Sequence, residues 1–318
     1  MDVVPFNFCD SVANLMKPVA DTKAFGENSF WKAVFDEHRT KRVAAEVVVI
    51  QDKKAPNRWK YEMVCLSKNE DFKKLFPDGR LSFEDFLAIL CCKLKVPNTP
   101  PKFLVVSYLC VNVRLPENVI PKQPISASHL AEFLRAICVR LSHASVVLGR
   151  RSSVIVNSLL NASVAKLDID HCGGRGYVDL FNNQLKLGHL QEIVLGGNWP
   201  FSTKRYLQRF LLKKPPITRI QLEDCPSISF SPALVRQLIE LYADRENFSV
   251  VTYLDRGDPI FETQTFKVTG HEFVDGNLWQ VLTNSENKDC HVRCLPKTIN
   301  GQFVVYLSFA FLNPESIA

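Results

Sequence analysis

Three short segments of this chain repeat one another at nearly constant spacing. They are Lys166-Leu167-Asp168-Ile169-Asp170-His171-Cys172, Glu192-Ile193-Val194-Leu195-Gly196-Gly197-Asn198-Trp199 and Arg219-Ile220-Gln221-Leu222-Glu223-Asp224-Cys225. The first apolar position of each falls at Leu167, Ile193 and Ile220, intervals of 26 and 27 residues, and a looser copy, Val251-Thr252-Tyr253, follows 31 residues later. Each of the first three is followed by a polar or glycine turn and then a helical pattern, over about Val178–Leu187, Thr203–Leu212 and Ala233–Tyr242. A strand–helix unit of this size cannot cover its own apolar face, so such units must stack with their strands parallel.

An apolar-x-apolar strand core recurring every ~20–29 residues is the leucine-rich-repeat spacing, although the asparagine ladder of regular repeats is missing here. Stacking of this kind would place solvated side chains on a concave strand face. Upstream, a strand over Phe103–Val113 precedes an amphipathic helix over Ala127–Leu141, whose stripe is Leu130, Phe133, Leu134, Ile137, Cys138 and Leu141. A short strand, Ser145–Leu148, then precedes a helix over Ser153–Leu160.

Before the repeats, valine-rich Val43–Gln51 and the alternating Trp59, Tyr61, Met63 and Cys65 predict a hairpin with one face buried. Ahead of it, Phe6, Phe8, Cys9, Val12, Leu15 and Met16 are spaced for one helical face, and a second helix covers about Ser29–Arg39. After the repeats, Phe266-Lys267-Val268, Leu278–Leu282, His291–Cys294 and Phe303–Phe311 read as strands divided by Asp275-Gly276-Asn277 and Asn300-Gly301. The expected architecture is therefore α/β. A short helical N-terminal segment (1–42) leads to a hairpin and connecting helix (43–101). An irregular strand–helix array with parallel strands (102–255) follows, and a small antiparallel sheet (256–318) closes it.

Composition narrows the class. Apolar residues at 46% and charged residues at 23% suit a globular core. The opening residues lack the basic and apolar runs of a signal peptide, and the longest apolar stretches are about half the ~20 residues of a membrane span. Most of the ten cysteines sit in apolar runs, as in Ala136-Ile137-Cys138-Val139, so they read as reduced core residues. These features predict a cytoplasmic or nuclear chain with no membrane partner. The net charge of +6 comes with no basic stripe interleaved with aromatics, so no nucleic-acid partner is expected either.

No chemistry-bearing motif is complete. Gly79 aligns with the glycine of a calcium loop, but Lys74 and Phe76 then occupy ligand positions; the stretch reads as a turn followed by a helix capped by Ser82 and Asp85. Cys290-His291-Val292-Arg293-Cys294 offers three zinc ligands without a second cluster, and reads as a strand. His171-Cys172 adjoin, yet neighbours on a strand face opposite ways. Gly173-Gly174-Arg175-Gly176 lacks the lysine of a phosphate loop. Trp199 reads as packing over the next helix start, with partner contact the other reading, and Ser152 or Ser153 as a cap of the helix after Arg150-Arg151. No catalytic residue, metal or cofactor is expected, and the chain reads as a non-enzyme.

Val4-Pro5-x-x-Phe8-Cys9-Asp10-x-Val12, Trp31 in a second helix, Trp59-Lys60-Tyr61 and Leu195-Gly196-Gly197-Asn198-Trp199-Pro200 together resemble a large nematode family of F-box-like proteins with a repeat-containing or F-box-associated C-terminal region. The resemblance covers roughly residues 1–65 and 164–245. It implies a substrate receptor of a cullin–RING (SCF-type) ubiquitin ligase: N-terminal helices docked on the adaptor subunit, and repeats holding a target protein. Pro5, Phe8, Val12, Leu15 and Trp31 match the apolar, adaptor-binding positions of an F-box. The start is Val-Pro rather than Leu-Pro, and the helical portion ends near Arg42. The alternative is a stand-alone intracellular scaffold without ligase docking.

Overall fold

A computed structural model describes residues 30–52, 55, 57–67, 69–95, 103–113, 121–150, 152–162, 164–171, 173–245, 248–254, 262–274, 277–285, 290–299 and 302–311. The expected helix over Phe6–Met16, with Pro5, Phe8, Val12 and Leu15, lies outside the described residues. The chain divides into two compact units between Lys166 and Leu167.

In the first unit, helix α1 (Phe30–Lys41) leads into strand β1 (Val43–Gln51), which pairs antiparallel with β2 (Arg58–Ser67). Every second residue of the hairpin is buried, from Val43 to Val49 on β1 and from Trp59 to Cys65 on β2, as the alternation predicts. Short α2 (Glu70–Leu75) and α3 (Phe83–Leu90) follow. At α3 the expected cap is complete: the Ser82 hydroxyl accepts from the Asp85 N–H at 3.0 Å, and the Asp85 carboxylate accepts from the Ser82 N–H at 3.2 Å.

Strand β3 (Leu104–Val111) lies parallel to β1, β4 (Gln123–Ser126) is antiparallel to β2, and β5 (Leu141–Leu148) is parallel to β3. The order in this unit is β4-β2-β1-β3-β5. Helix α4 (Ala127–Cys138) buries Leu130, Phe133, Leu134, Ile137 and Cys138, and α5 spans Ser153–Leu159. Two expectations need correction. Leu141 continues the apolar stripe of α4, but it opens β5 instead, where ladder pairing with Val106 claims its backbone. Ser152 sits at the N-cap position of α5 without capping it; its buried hydroxyl donates to Gly149 O (2.8 Å) and Val111 O (3.2 Å), tying the turn to β3.

The second unit holds the repeats. Strand β6 (Val164–His171) reaches into it, followed by α6 (Arg175–Leu187), β7 (Glu192–Gly197), α7 (Phe201–Leu211), β8 (Arg219–Glu223), the two-residue β9 (Ser229–Phe230), α8 (Pro232–Leu241) and β10 (Ser249–Leu254). β7 and β8 are parallel with Ile193 opposite Ile220, so the repeat positions read from the sequence are register partners. The fourth copy is shifted by one: Val250, fully buried, pairs with Ile220, and Val251 turns to the other face. Strands β11 (Phe266–Val274), β12 (Asn277–Asn284), β13 (Cys290–Ile299) and β14 (Gln302–Phe311) form the expected antiparallel sheet, and β14 pairs with β10. The last parallel strand therefore has no open edge.

Burial raises the thiols of Cys65 and Cys138 from 9.0 to about 12, that of Cys225 to about 11, and the Tyr242 phenol from 10.0 to about 12. The folded state keeps these protons while the unfolded chain releases them first as pH rises past about 9, so stability is lost with rising pH between about 9 and 12. The urea midpoint is expected to hold between pH 7 and 8 and to drop by pH 10.5; an unchanged midpoint at pH 10.5 would refute this account.

Candidate functional site

The second unit shows two faces. Helices cover Leu167, Ile169, Ile193, Leu195, Ile220, Leu222 and Val250, all at 2% exposure or less. The residues between them, Asp168, Asp170, Glu192, Gly196, Arg219, Gln221, Glu223 and Val251, stay half-exposed or exposed on the opposite face. Because a strand alternates its side chains, the parallel register lines these residues into rows across the sheet.

One row runs Glu192, Arg219, Ser249, Ser308, Arg293; the next runs Val194, Gln221, Val251, Tyr306, Leu295. The first is polar and charged. The second is mostly apolar, and its ends, Val194 (7% exposed) and Leu295 (6%), are close to fully covered while its centre is half-exposed. Along β8, Arg219 donates to Gln221 Oε1, and Gln221 Nε2 donates to Glu223 Oε1, so three neighbouring side chains hold one another in place. Lys297 adds a cation 5.9 Å from the Tyr306 ring centroid. A face of this type can offer a partner apolar contact bordered by oriented hydrogen-bonding groups.

At the C-terminal ends of these strands the sequence predicts turns, and the structure gives a physical reason for them. Gly197 (φ +79°) and Asp224 (φ +44°) stand four residues after Ile193 and Ile220, and both are left-handed. Glycine and aspartate tolerate that conformation, so the chain can leave each strand sharply. At Gly197 a side chain is also excluded sterically, since a Cβ there would lie 2.2 Å from the His171 carbonyl oxygen.

That crowding seats His171 against the next repeat. The His171 carbonyl accepts the Asn198 N–H at 3.3 Å, and its ring Nδ1 lies 2.5 Å from the Asn198 carbonyl, where the nitrogen must donate. The imidazole stacks on Trp199 at 4.6 Å, Trp199 packs against Phe181 at 5.5 Å, and its indole N–H donates to Gly196 O at 2.8 Å. The Cys225 thiol meets the Trp199 backbone, so one contact chain joins the ends of β6, β7 and β8. Trp199, at 3% exposure, is a packing residue and not a partner-contact residue.

The other sequence candidates are placed as follows. Gly173 and Gly174 form the left-handed turn before α6, and no side chain caps that helix. Cys290 and His291 lie on β13 with Cys294, which is buried. Among the described residues no three His, Cys, Asp or Glu side chains gather as a metal site, and no helix is long and apolar enough to cross a membrane. Trp31, on α1, is half-buried with its ring stacked on Phe35 at 6.1 Å. The rows across the open strand face escaped sequence reading, because they depend on the register between strands. A scan against protein-family models gives no match, and a search of curated proteins gives none.

Gly188, at the C-cap of α6, has nearly the same backbone angle as Gly197 (φ +75°) but open space where a Cβ would go. Gly188→Ala should cost about 1 kcal/mol from backbone strain alone. Gly197→Ala should cost roughly 2–4 kcal/mol, because strain and a clash with a neighbouring strand act together. Equal losses in urea denaturation would show that the close approach to His171 does not hold the turn.

Proposed function

We propose that the chain is a protein-interaction receptor whose open strand face in the second unit holds a target protein. On the F-box-like resemblance, the segment carrying Pro5, Phe8, Val12, Leu15 and Trp31 docks it on the adaptor subunit of a cullin–RING ubiquitin ligase. The observation that carries the target-binding half is the mostly apolar row Val194–Gln221–Val251–Tyr306–Leu295, crossed at Gln221 by the oriented Arg219–Gln221–Glu223 ladder. Such a face suits partner recognition, in which aromatic and arginine side chains bring most of the binding energy. The role is scaffolding: two partners held on one chain meet at a raised effective concentration, with no bond made or broken by the receptor.

Both halves are tested by affinity capture of the tagged full chain from its own cells, with partners identified by mass spectrometry. The adaptor and cullin should be recovered with the wild type and lost with Phe8→Asp or Trp31→Ala, each shown to remain folded. A second, separate partner should be lost with Arg219→Ala/Tyr306→Ala while the adaptor is retained. A folded bait that recovers partners but neither adaptor nor cullin would leave the stand-alone scaffold. Retention of every partner by the strand-face variant would remove that face from the account.

A further inference from the structure

On α7, opposite its buried side, lies an exposed basic stripe with apolar side chains beside it. Arg205, Arg209 and Lys213 are spaced four residues apart along α7 and its C-terminal turn, and all three are exposed. Four residues advance a helix by about 6 Å and just over one turn, so the three cations form a single row about 12 Å long. Phe201 (62% exposed), four residues before Arg205, heads the row, and Tyr206 (47%) and Leu212 (47%) lie beside it. The sequence reading expected no basic stripe interleaved with aromatics; α7 corrects it.

Several helices of the chain match their surface cations with carboxylates one turn away. On α1 Lys41 pairs with Glu37, on α2 Lys73 and Lys74 pair with Glu70 and Asp71, and on α6 Arg175 pairs with Asp179. α7 carries no acidic residue, and among the described residues no carboxylate lies within ion-pair distance of Arg205, Arg209 or Lys213. Like charges four apart repel and weaken a helix. The helix dipole eases this for Lys213 at the C-terminus but not for Arg205 in the middle. The exposed Phe201 ring, with Lys204 at 5.5 Å and Arg205 at 6.0 Å, is held beside cations rather than folded inward.

We infer that this stripe docks an acidic amphipathic helix of a partner protein. Carboxylates at four-residue intervals on such a helix would repeat at the same rise as the cations and neutralise the row. Its own apolar residues would cover Phe201, Leu212 and Tyr206. A nucleic-acid backbone supplies evenly spaced anions without aliphatic anchors for Leu212, and it accounts for only half of the surface. The stripe lies on the helix side of the unit, so this inference does not depend on the strand face or on the ligase.

The test uses the full chain and a fluorescein-labelled, helix-prone peptide with glutamates four residues apart flanked by leucines, read by fluorescence anisotropy. The controls are the same peptide with glutamine for glutamate, a single-stranded thymidine oligonucleotide, and vesicles containing phosphatidylserine. The glutamate peptide should bind at least about tenfold more tightly than the glutamine peptide, and its binding should weaken with added salt. Arg205→Glu/Arg209→Glu and Phe201→Ser should each weaken it by about tenfold or more, with unchanged circular dichroism and thermal midpoint to show that the fold persists. Equal binding of the two peptides, no binding of either, binding untouched by both variants, or tighter binding to oligonucleotide or vesicles would each overturn the inference.

Discussion

The parallel ladder joining β7, β8 and β10 is the constraint on which the second unit depends. Shifting a strand by one residue reverses every side chain on it, so a slip at β8 would expose Ile220 and Leu222 and bury Arg219, Gln221 and Glu223. Burying that ladder of polar groups without solvent or partners would be costly, and so would exposing two large aliphatic side chains. The two penalties act together, and they hold Ile193 opposite Ile220 and Ile220 opposite Val250. The rows of the open face are the other side of the same register, which is why the candidate binding surface is as firmly specified as the core.

Parallel strands need a return path, and each return begins at a sharp exit from the strand. The left-handed residues Gly197 and Asp224 provide two of these exits, and Asn112 does the same at the end of β3 in the first unit. At β7 the exit is also used for packing: the backbone passes close to His171, and Trp199 drops between the imidazole and Phe181. A polar histidine is tolerated in that apolar setting because Asn198 supplies hydrogen-bond partners for its ring and carbonyl. The edge where open α/β sheets often bind ligands is here filled by the protein's own aromatic side chains.

Much of this was legible in the sequence, for identifiable reasons. The hairpin could be read because Trp59, Tyr61 and Met63 alternate with polar Lys60 and Glu62, and the repeat because Leu167, Ile193 and Ile220 each follow a charged residue and open an apolar-x-apolar core at nearly constant spacing. The errors fall where the local pattern allows two answers. In Ser249-Val250-Val251-Thr252-Tyr253 either valine could face the core, and the choice follows from pairing with Ile220. Thr252 can then be buried because its hydroxyl reaches the Tyr253 carbonyl at 3.2 Å. Leu141 fits the helical stripe of α4 equally well, and a partner far away in sequence, Val106, decides its state. Neither choice is encoded within a short window, and the same holds for the rows of the strand face.

The stripe on α7 was missed for the opposite reason: its spacing is local, but it becomes meaningful only when compared with the other helices. Lys204, Arg205, Arg209, Lys213 and Lys214 look like ordinary surface charge when counted. Burial then separates them: Lys204 is 9% exposed, and Lys214 is paired with Asp244, which leaves the other three in one row. A surface cation matched by a carboxylate one turn away is a modest local stabiliser and carries little information about partners. A row left unmatched weakens the helix by like-charge repulsion, and exposed Phe201 and Leu212 beside it leave apolar area in water. Surface substitution could relieve either cost without disturbing the packing of Leu207, Phe210 and Leu211 beneath, so the presence of both on one face points to a use outside the fold.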